Sequence, residues 1–484
     1  MSAFGLVLLL MIGLGTVFTG LPNVVILLGT AVVGLVVGLL SGTIAPNLLY
    51  ALPARIVDLM SSDLLQALPL FVLMGLLLNR LPVASALFHT GLALLPRSGA
   101  SAPVAGLAIG VLIGPMNGSV GASAMALSRT IAPEMRARHV PLATVQAVTA
   151  TAATLGVVVP PSLVLILLGD AMLNAHTVAL NATGRMEQVV NTQNVFQGAL
   201  VPAALFIGGA VLMTLFLWRH RPGQVRPSHV PLRRSDAIIS ALALPFVGGL
   251  LASVTLGYVY PVEAAACGAL VLFVAGLASG HVSRATIGPL LDQAMRMTGA
   301  LFALLAAATT LTLVFRLFGT DKLIADAMLA LPGGPHLATG AALVVLAACA
   351  LVLDAFEIVF VIVPIIVPPL LMRVPDATWV AVLILLTLQL SFLLPPLGYA
   401  LVVTRDMLKG KASMPAVLRA LLPYVAVQVL VLASVFAIPA LVHPRERFGL
   451  APPAAPAPLT PDEMRRNLDE MLPPPPDAAP AALN

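Results

Sequence analysis

Charge is what this sequence has least of. Only 9% of its 484 residues are Asp, Glu, Lys or Arg, where soluble globular chains carry about 25%. Such a chain cannot cover a large aqueous surface, and its 59% of hydrophobic residues must meet something other than water. Cysteine is nearly absent. Cys267 and Cys349 both lie in apolar runs and read as packing residues rather than a disulfide. The histidines stand singly at loop edges, as at His89, His139, His220 and His281, so no metal-ligand spacing occurs. No GxxxxGK[ST] string is present, so no ATP site is expected. The start lacks a basic segment and a small-residue cleavage site, and Met1–Gly20 reads as a retained first span. The net charge of +5 is spread over short segments between apolar runs. That is membrane topology and not a nucleic-acid patch.

What the chain does have is a succession of apolar runs of the length a bilayer demands, about 20 residues per helical crossing. Full crossings are expected near 3–20, 22–41, 66–82, 197–218, 237–256, 262–280, 297–318 and 416–441. This makes the chain an all-α polytopic membrane protein, with no room for a separate soluble domain. Two stretches are too long for a simple crossing. Pro141–Asn174 is interrupted by Pro160-Pro161, and Ala377–Met407 by Pro395-Pro396. Proline lacks the helix donor and clashes with the preceding turn, so each doublet should break its helix. Two others, about 100–128 and 337–371, are apolar with polar centres: Asn117-Gly118-Ser119 in the first, Asp354 and Glu357 in the second. That is the pattern of a re-entrant hairpin with a polar tip.

These features recur. An offset of 235 residues carries Ser119, Leu155, Pro160 and Pro161 onto Asp354, Leu390, Pro395 and Pro396. Upstream the offset drifts, with Arg80-Leu81 falling on Arg316-Leu317 and Pro22 on Pro261. Two repeats are expected, 1–218 and 237–441, joined by a basic linker at 219–236 and ending in a Pro/Ala-rich tail at 442–484 that cannot bury a core. Lys and Arg concentrate in 129–139, 219–236, 281–296 and 405–419. Placing these in the cytoplasm makes the repeats inverted, with the first hairpin entering from the cytoplasm and the second from the periplasm. Tyr50–Leu65 and Lys322–Leu331 mix charge with apolar residues and read as helices on the membrane surface.

Inverted repeats with broken helices are an architecture of secondary transporters. Unwound backbone offers carbonyl oxygens to Na⁺, and a half-helix N-terminus offers N–H groups to a carboxylate. With no ATP site, an ion gradient is the remaining energy source on this chain.

Four strings carry a family resemblance. They are NGSVGASAMAL at Asn117–Leu127, TAATLGVVVPPSLVLILLGD at Thr151–Asp170, LDAFEIVFVIVP at Leu353–Pro364 and LQLSFLLPPLGYAL at Leu388–Leu401, with YPVEAAACGAL at Tyr260–Leu270 in support. Together they resemble the large membrane subunit of tripartite ATP-independent periplasmic (TRAP) transporters, in the branch once labelled for mannitol and chloroaromatic compounds. The sequence departs from that pattern at Ala355 (Trp), Leu394 (Thr) and Ala153 (Gly).

The resemblance implies a solute:Na⁺ symporter of the bacterial inner membrane with no other cofactor. Its partners would be a small membrane subunit and a soluble periplasmic binding protein. It implies an elevator motion of hairpins and broken helices, and it tilts the substrate towards 2-oxo or hydroxy acids. Asn117, Gly118, Ser119, Ser123, Ser162, Glu357 and Gly398 are the expected substrate and transport residues. Ser119, Thr154, Gly156, Asp354, Gln389 and Ser391 are the expected Na⁺ ligands, and Pro160, Pro161, Pro395 and Pro396 the helix breaks.

Each has a plainer alternative. The Asn-Gly-Ser tip could be a packing notch. Asp354 and Glu357 could be a structural pair, although carboxylates inside a membrane mark function by default. Thr154, Gly156, Ser391 and Gly398 could simply end helices, and Glu263 could be a loop-edge residue. A binding-protein-independent organic-anion or arsenite permease competes within the same architecture. A passive channel and an intramembrane aspartic protease on Asp170 and Asp354 compete from other classes, the latter without its GxGD string. No enzyme activity is expected.

Overall fold

The computed structural model describes residues 2–62, 65–96, 98–219, 232–395, 398–408, 410 and 412–443. Most of the 219–236 linker, Pro396 and the tail from 444 lie outside the described residues.

Every regular element among the described residues is helical. The first half runs α1 (Ser2–Thr19), α2 (Asn23–Leu40), α3 (Ala51–Ser61), α4 (Ala67–Arg80) and α5 (Val83–Leu94). The first hairpin comes next as α6 (Ser101–Ile113), a 3-10 turn (Gly114–Asn117) and α7 (Val120–Ala137). The broken helix is α8 (Leu142–Val158) and α9 (Leu163–Thr183), and α10 (Thr192–Arg219) closes the half. The second half runs α11 (Arg234–Leu256), α12 (Pro261–Ala278), α13 (Arg284–Leu317) and α14 (Thr320–Leu329). Its hairpin is α15 (Pro335–Ala350), a short α16 (Ala355–Glu357), a π-helical turn (Ile358–Ile362) and α17 (Val363–Arg373). Then come α18 (Ala377–Ser391), α19 (Tyr399–Met407) and α20 (Met414–Ala437).

Among the described residues, eight helical stretches are long and apolar enough to cross a membrane, and α4 with α5, bent by 60°, would make a ninth. Burial sorts them into two classes. The broken helix Leu142–Thr183 is 94% buried over its most apolar window and Ala355–Arg373 is 83% buried, while the other six lie between 22% and 44%. An apolar helix buried on all sides is a core helix; one buried on a single face meets lipid. The hairpin arm and broken helix therefore form the interior, and α2, α10, α11, α12, α13 and α20 form the lipid-facing shell. Within the interior α6 and α7 pack on α8, α17 on α9, and α19 on both α7 and α8.

Several elements differ from the sequence expectation. The stretch 281–296, expected to be a basic loop, is helix from Arg284 onward, so α13 runs for 34 residues. Gly288 and Pro289 conceal it in the sequence, since a proline inside a helix removes a donor, yet the helix runs through both. Helix α9 passes through Gly169-Asp170 and ends at Gly184 in the left-handed conformation, beyond the end expected at Asn174. Helix α5 has no counterpart among the expected crossings: Pro82 turns the chain after α4 and hides the short segment behind it. Of the two surface helices, α3 buries no residue, but α14 packs on α17 and α1.

Candidate functional site

The two hairpin tips lie against the two helix breaks. In the first half α6 ends in the 3-10 turn, and Gly118 reverses the chain at φ +72°, a conformation glycine adopts at little cost. Ser119 then caps α7, its hydroxyl accepting from Ala122 N–H at 3.1 Å. Ser123, one turn on and 1% exposed, points back towards the Gly114 carbonyl at 3.4 Å. Opposite, α8 stops at Val158 and the cis Pro160-Pro161 bond leads to Ser162. The Ser162 hydroxyl caps α9, accepting from Leu165 N–H at 3.2 Å and donating to the Val157 carbonyl at 2.6 Å. Gly114, Gly118, Ser119, Ser123, Gly156 and Ser162 line one cleft between tip and break. Two helix N-termini, those of α7 and α9, begin at its edge.

Gly156 has a steric role there. A β-carbon on it would lie 2.4 Å from the Gly114 carbonyl carbon, so the tip touches the helix backbone directly. Gly75 of α4 lets its helix approach the tip in the same way, against the Asn117 backbone. Thr154 is fully buried, and its hydroxyl donates to the Thr151 carbonyl of its own helix at 2.9 Å. The Asn117 side chain is 3% exposed, and neither amide atom has a hydrogen-bond partner among the described residues. An unpaired buried polar group costs about 1–3 kcal/mol, and Asn117 shares this state with Gln146, Thr149 and Thr151 of the neighbouring α8.

In the second half Asp354 caps the short α16, and its N–H donates to Glu357 Oε2 at 3.1 Å. Glu357 is 1% exposed, and besides the Asp354 N–H the Asn23 side chain of α2 approaches its carboxylate. Asp354, Leu353, Ser391, Phe392 and Tyr399 line a cavity of about 410 Å³ that also reaches Thr16 and Asn23. Tip and break again share one space. Ser391 keeps its hydroxyl on the Leu388 carbonyl at 2.7 Å. Gly398 N–H donates to the Leu394 carbonyl at 2.8 Å across the break that Pro395 opens. Gln389 is not on the cavity wall: it is fully buried in α18 with both amide atoms unpartnered among the described residues.

A family model described as "Tripartite ATP-independent periplasmic transporter, DctM component" matches residues 8–441. The chain belongs to that family. It is 22% identical over 384 residues to the 2,3-diketo-L-gulonate TRAP transporter large permease protein YiaN of Escherichia coli (strain K12), covering 78% of this chain and 85% of that one. Among solved structures, the Alcanivorax borkumensis YdaH transporter superposes with a TM-score of 0.60 at 15% identity, over 82% of this chain and 88% of that chain. Neisseria gonorrhoeae MtrF gives 0.53 at 13% identity, over 81% and 83%. These two likenesses concern the fold.

This TRAP large permease subunit is thus a multi-pass membrane component of a transporter. Its candidate site also includes residues that sequence reasoning missed. Tyr399 comes just after the second break yet reaches the first hairpin: a β-carbon on Gly121 of α7 would lie 2.7 Å from its ring. The Thr312 hydroxyl of α13 lies between two acceptors, the Ala308 carbonyl of its own helix at 2.8 Å and the Phe360 carbonyl of the π turn at 3.0 Å. Single residues that meet from distant parts of the chain leave no local signal. Glu263, despite its family match, is exposed, caps α12 by accepting from Tyr260 N–H at 3.0 Å and lines neither cleft.

Proposed function

We propose that this permease takes up a small organic acid, of the 2-oxo, hydroxy or sugar-acid kind, driven by a Na⁺ gradient. Substrate is delivered by a periplasmic binding protein, and a small membrane subunit completes the complex in the bacterial inner membrane. The observation that carries this reading is that each of two polar hairpin tips faces a helix break. Capped N-termini offer N–H groups to a carboxylate, and broken-helix carbonyls with serine and aspartate oxygens suit a monovalent cation. The E. coli relative named for 2,3-diketo-L-gulonate supports an oxidised sugar acid as the substrate type.

In this reading the halves are inverted repeats. Hairpins and broken helices form a transport body that slides as an elevator against the lipid-facing shell. Ser119, with carbonyls near Gly156, holds one Na⁺; Asp354 and Ser391 hold another; Ser123 and Ser162 face the solute, and Asn117 and Glu357, which line neither cleft, reach it as the tips move. Thr154 and Gln389 join only if their present hydrogen bonding and burial change.

The test is uptake into proteoliposomes containing the permease with its small subunit and binding protein. Accumulation should need both an inward Na⁺ gradient and the binding protein. Uptake that proceeds unchanged without either would assign the chain to binding-protein-independent permeases instead.

A further inference from the structure

Two arginines outside the hairpin tips face a cavity whose lining contains no acid. Arg80 ends α4, and Arg129 lies on α7. With Asn79, Thr130 and Gln293 they line a space of about 350 Å³ between α4, α7 and α13. The α7 wall is Ala122, Met125, Ala126, Arg129 and Thr130, one face of a helix by its spacing of three and four. That face begins one turn beyond Ser119. At 1.5 Å per residue, Arg129 stands about 15 Å along the helix from the tip.

No acid lines this cavity, and neither arginine forms an ion pair among the described residues. The two acids nearest in sequence to its lining are already held by arginines on their own helices. Glu134 pairs with Arg138 at 2.8 Å and Asp292 with Arg296 at 2.9 Å. Arg129 is exposed and has no ion pair among the described residues. Among the described residues, half-buried Arg80 makes only a long contact to the Thr286 carbonyl, at 3.5 Å. Guanidinium groups bind oxyanions in paired hydrogen bonds, and the Asn79 and Gln293 amides add donors, while the Thr130 hydroxyl donates to the Ala126 carbonyl of its own helix at 2.8 Å. A concave wall of one sign also concentrates counter-charge.

We propose that this cavity is an oxyanion-binding site, placed to hold the carboxylate of the transported acid after it leaves the first hairpin tip. The transit role rests on the uptake reading above; the preference for oxyanions does not. Carboxylate and lipid phosphate share the same chemistry, so the test separates them.

The full-length protein carrying Cys267→Ala, Cys349→Ala and Thr130→Cys is placed in nanodiscs of phosphatidylcholine. The new thiol is modified by an anionic sulfonatoethyl methanethiosulfonate and, separately, by its cationic trimethylammonium counterpart. The ratio of anionic to cationic rate should fall about tenfold in Arg80→Gln/Arg129→Gln and recover in Arg80→Lys/Arg129→Lys. Inorganic sulfate should slow modification only where the positive charges remain. An unchanged ratio, or no protection by sulfate, would overturn the site. In an equal mixture of phosphatidylcholine and phosphatidylglycerol the preference should persist. Its loss there would give the cavity to a lipid headgroup and overturn the transit role. None of these readings depends on Na⁺ or on the cargo, so a failure of the uptake reading would show separately.

Discussion

Gly114 and Gly156 meet backbone to backbone: a β-carbon on Gly156 would lie 2.4 Å from the Gly114 carbonyl carbon and 2.5 Å from its α-carbon. The first hairpin tip is thereby seated on the last turn of α8. Backbone cannot move aside as a flexible side chain can. Gly156→Ala should therefore cost stability towards the upper end of the roughly 1–3 kcal/mol typical of overpacking. Gly29→Ala, with nothing within 4 Å of its added carbon, should be neutral or slightly stabilising, because alanine favours helix over glycine by about 1 kcal/mol. Thermal unfolding of the two purified variants checks this. Equal melting temperatures would mean that the tip is not seated as described.

Asp354 places a carboxylate at the second tip, beside Ser391 and Tyr399 in one cavity. A charge in the membrane interior is retained only beside a cation, a donor or water. Asp354→Asn removes the charge and keeps the shape. Na⁺ titration of uptake by this variant should show a higher half-saturating concentration and a lower rate, with insertion into the membrane intact. A titration curve that overlays the wild type would reduce Asp354 to the helix cap it forms on α16.

Tyr399 joins the halves by packing on Gly121 of α7, which places α19 and the first hairpin in the same moving body of the proposed elevator. A disulfide formed between Gly121→Cys and Tyr399→Cys should leave uptake within about twofold of the reduced protein, since motions that keep two elements together are not blocked by joining them. Uptake lost on oxidation and restored by reductant would show that α7 and α19 must separate during the cycle.

Orientation rests on the arginine-rich linker, whose last described residues lead into α11 at Arg234. Ser235→Cys should resist a membrane-impermeant maleimide in intact cells and react after permeabilisation. Rapid labelling in intact cells would reverse both hairpins.

Much of this arrangement is written locally in the chain. Pro160-Pro161 removes consecutive helix donors, so the end of α8 at Val158 and the restart at Leu163 are legible from composition. Asn117-Gly118-Ser119 reads as a tip because glycine permits the left-handed turn and serine caps the helix that starts at Val120. Core and shell are not legible in the same way. Helix α8 inside and α12 at the lipid surface both lack a distinct polar face, because lipid asks of a helix what a protein core asks of it. The polar first turns of α13 disguise its length, and Pro82 conceals α5. The meeting of Tyr399 with Gly121 and of Thr312 with Phe360 depends on how the halves interlock. Gln389 shows the reverse case: a family-like string marks it, yet it lies buried off the cavity wall.

If solute and Na⁺ cross together through the paired tips and breaks, the flux of one must carry the other. Radioactive sodium entering proteoliposomes with no Na⁺ gradient of its own, driven by substrate-loaded binding protein supplied outside, measures that coupling directly. Na⁺ entry should require both solute and binding protein and be weakened by Asp354→Asn. Solute entry with no accompanying sodium would contradict that coupling.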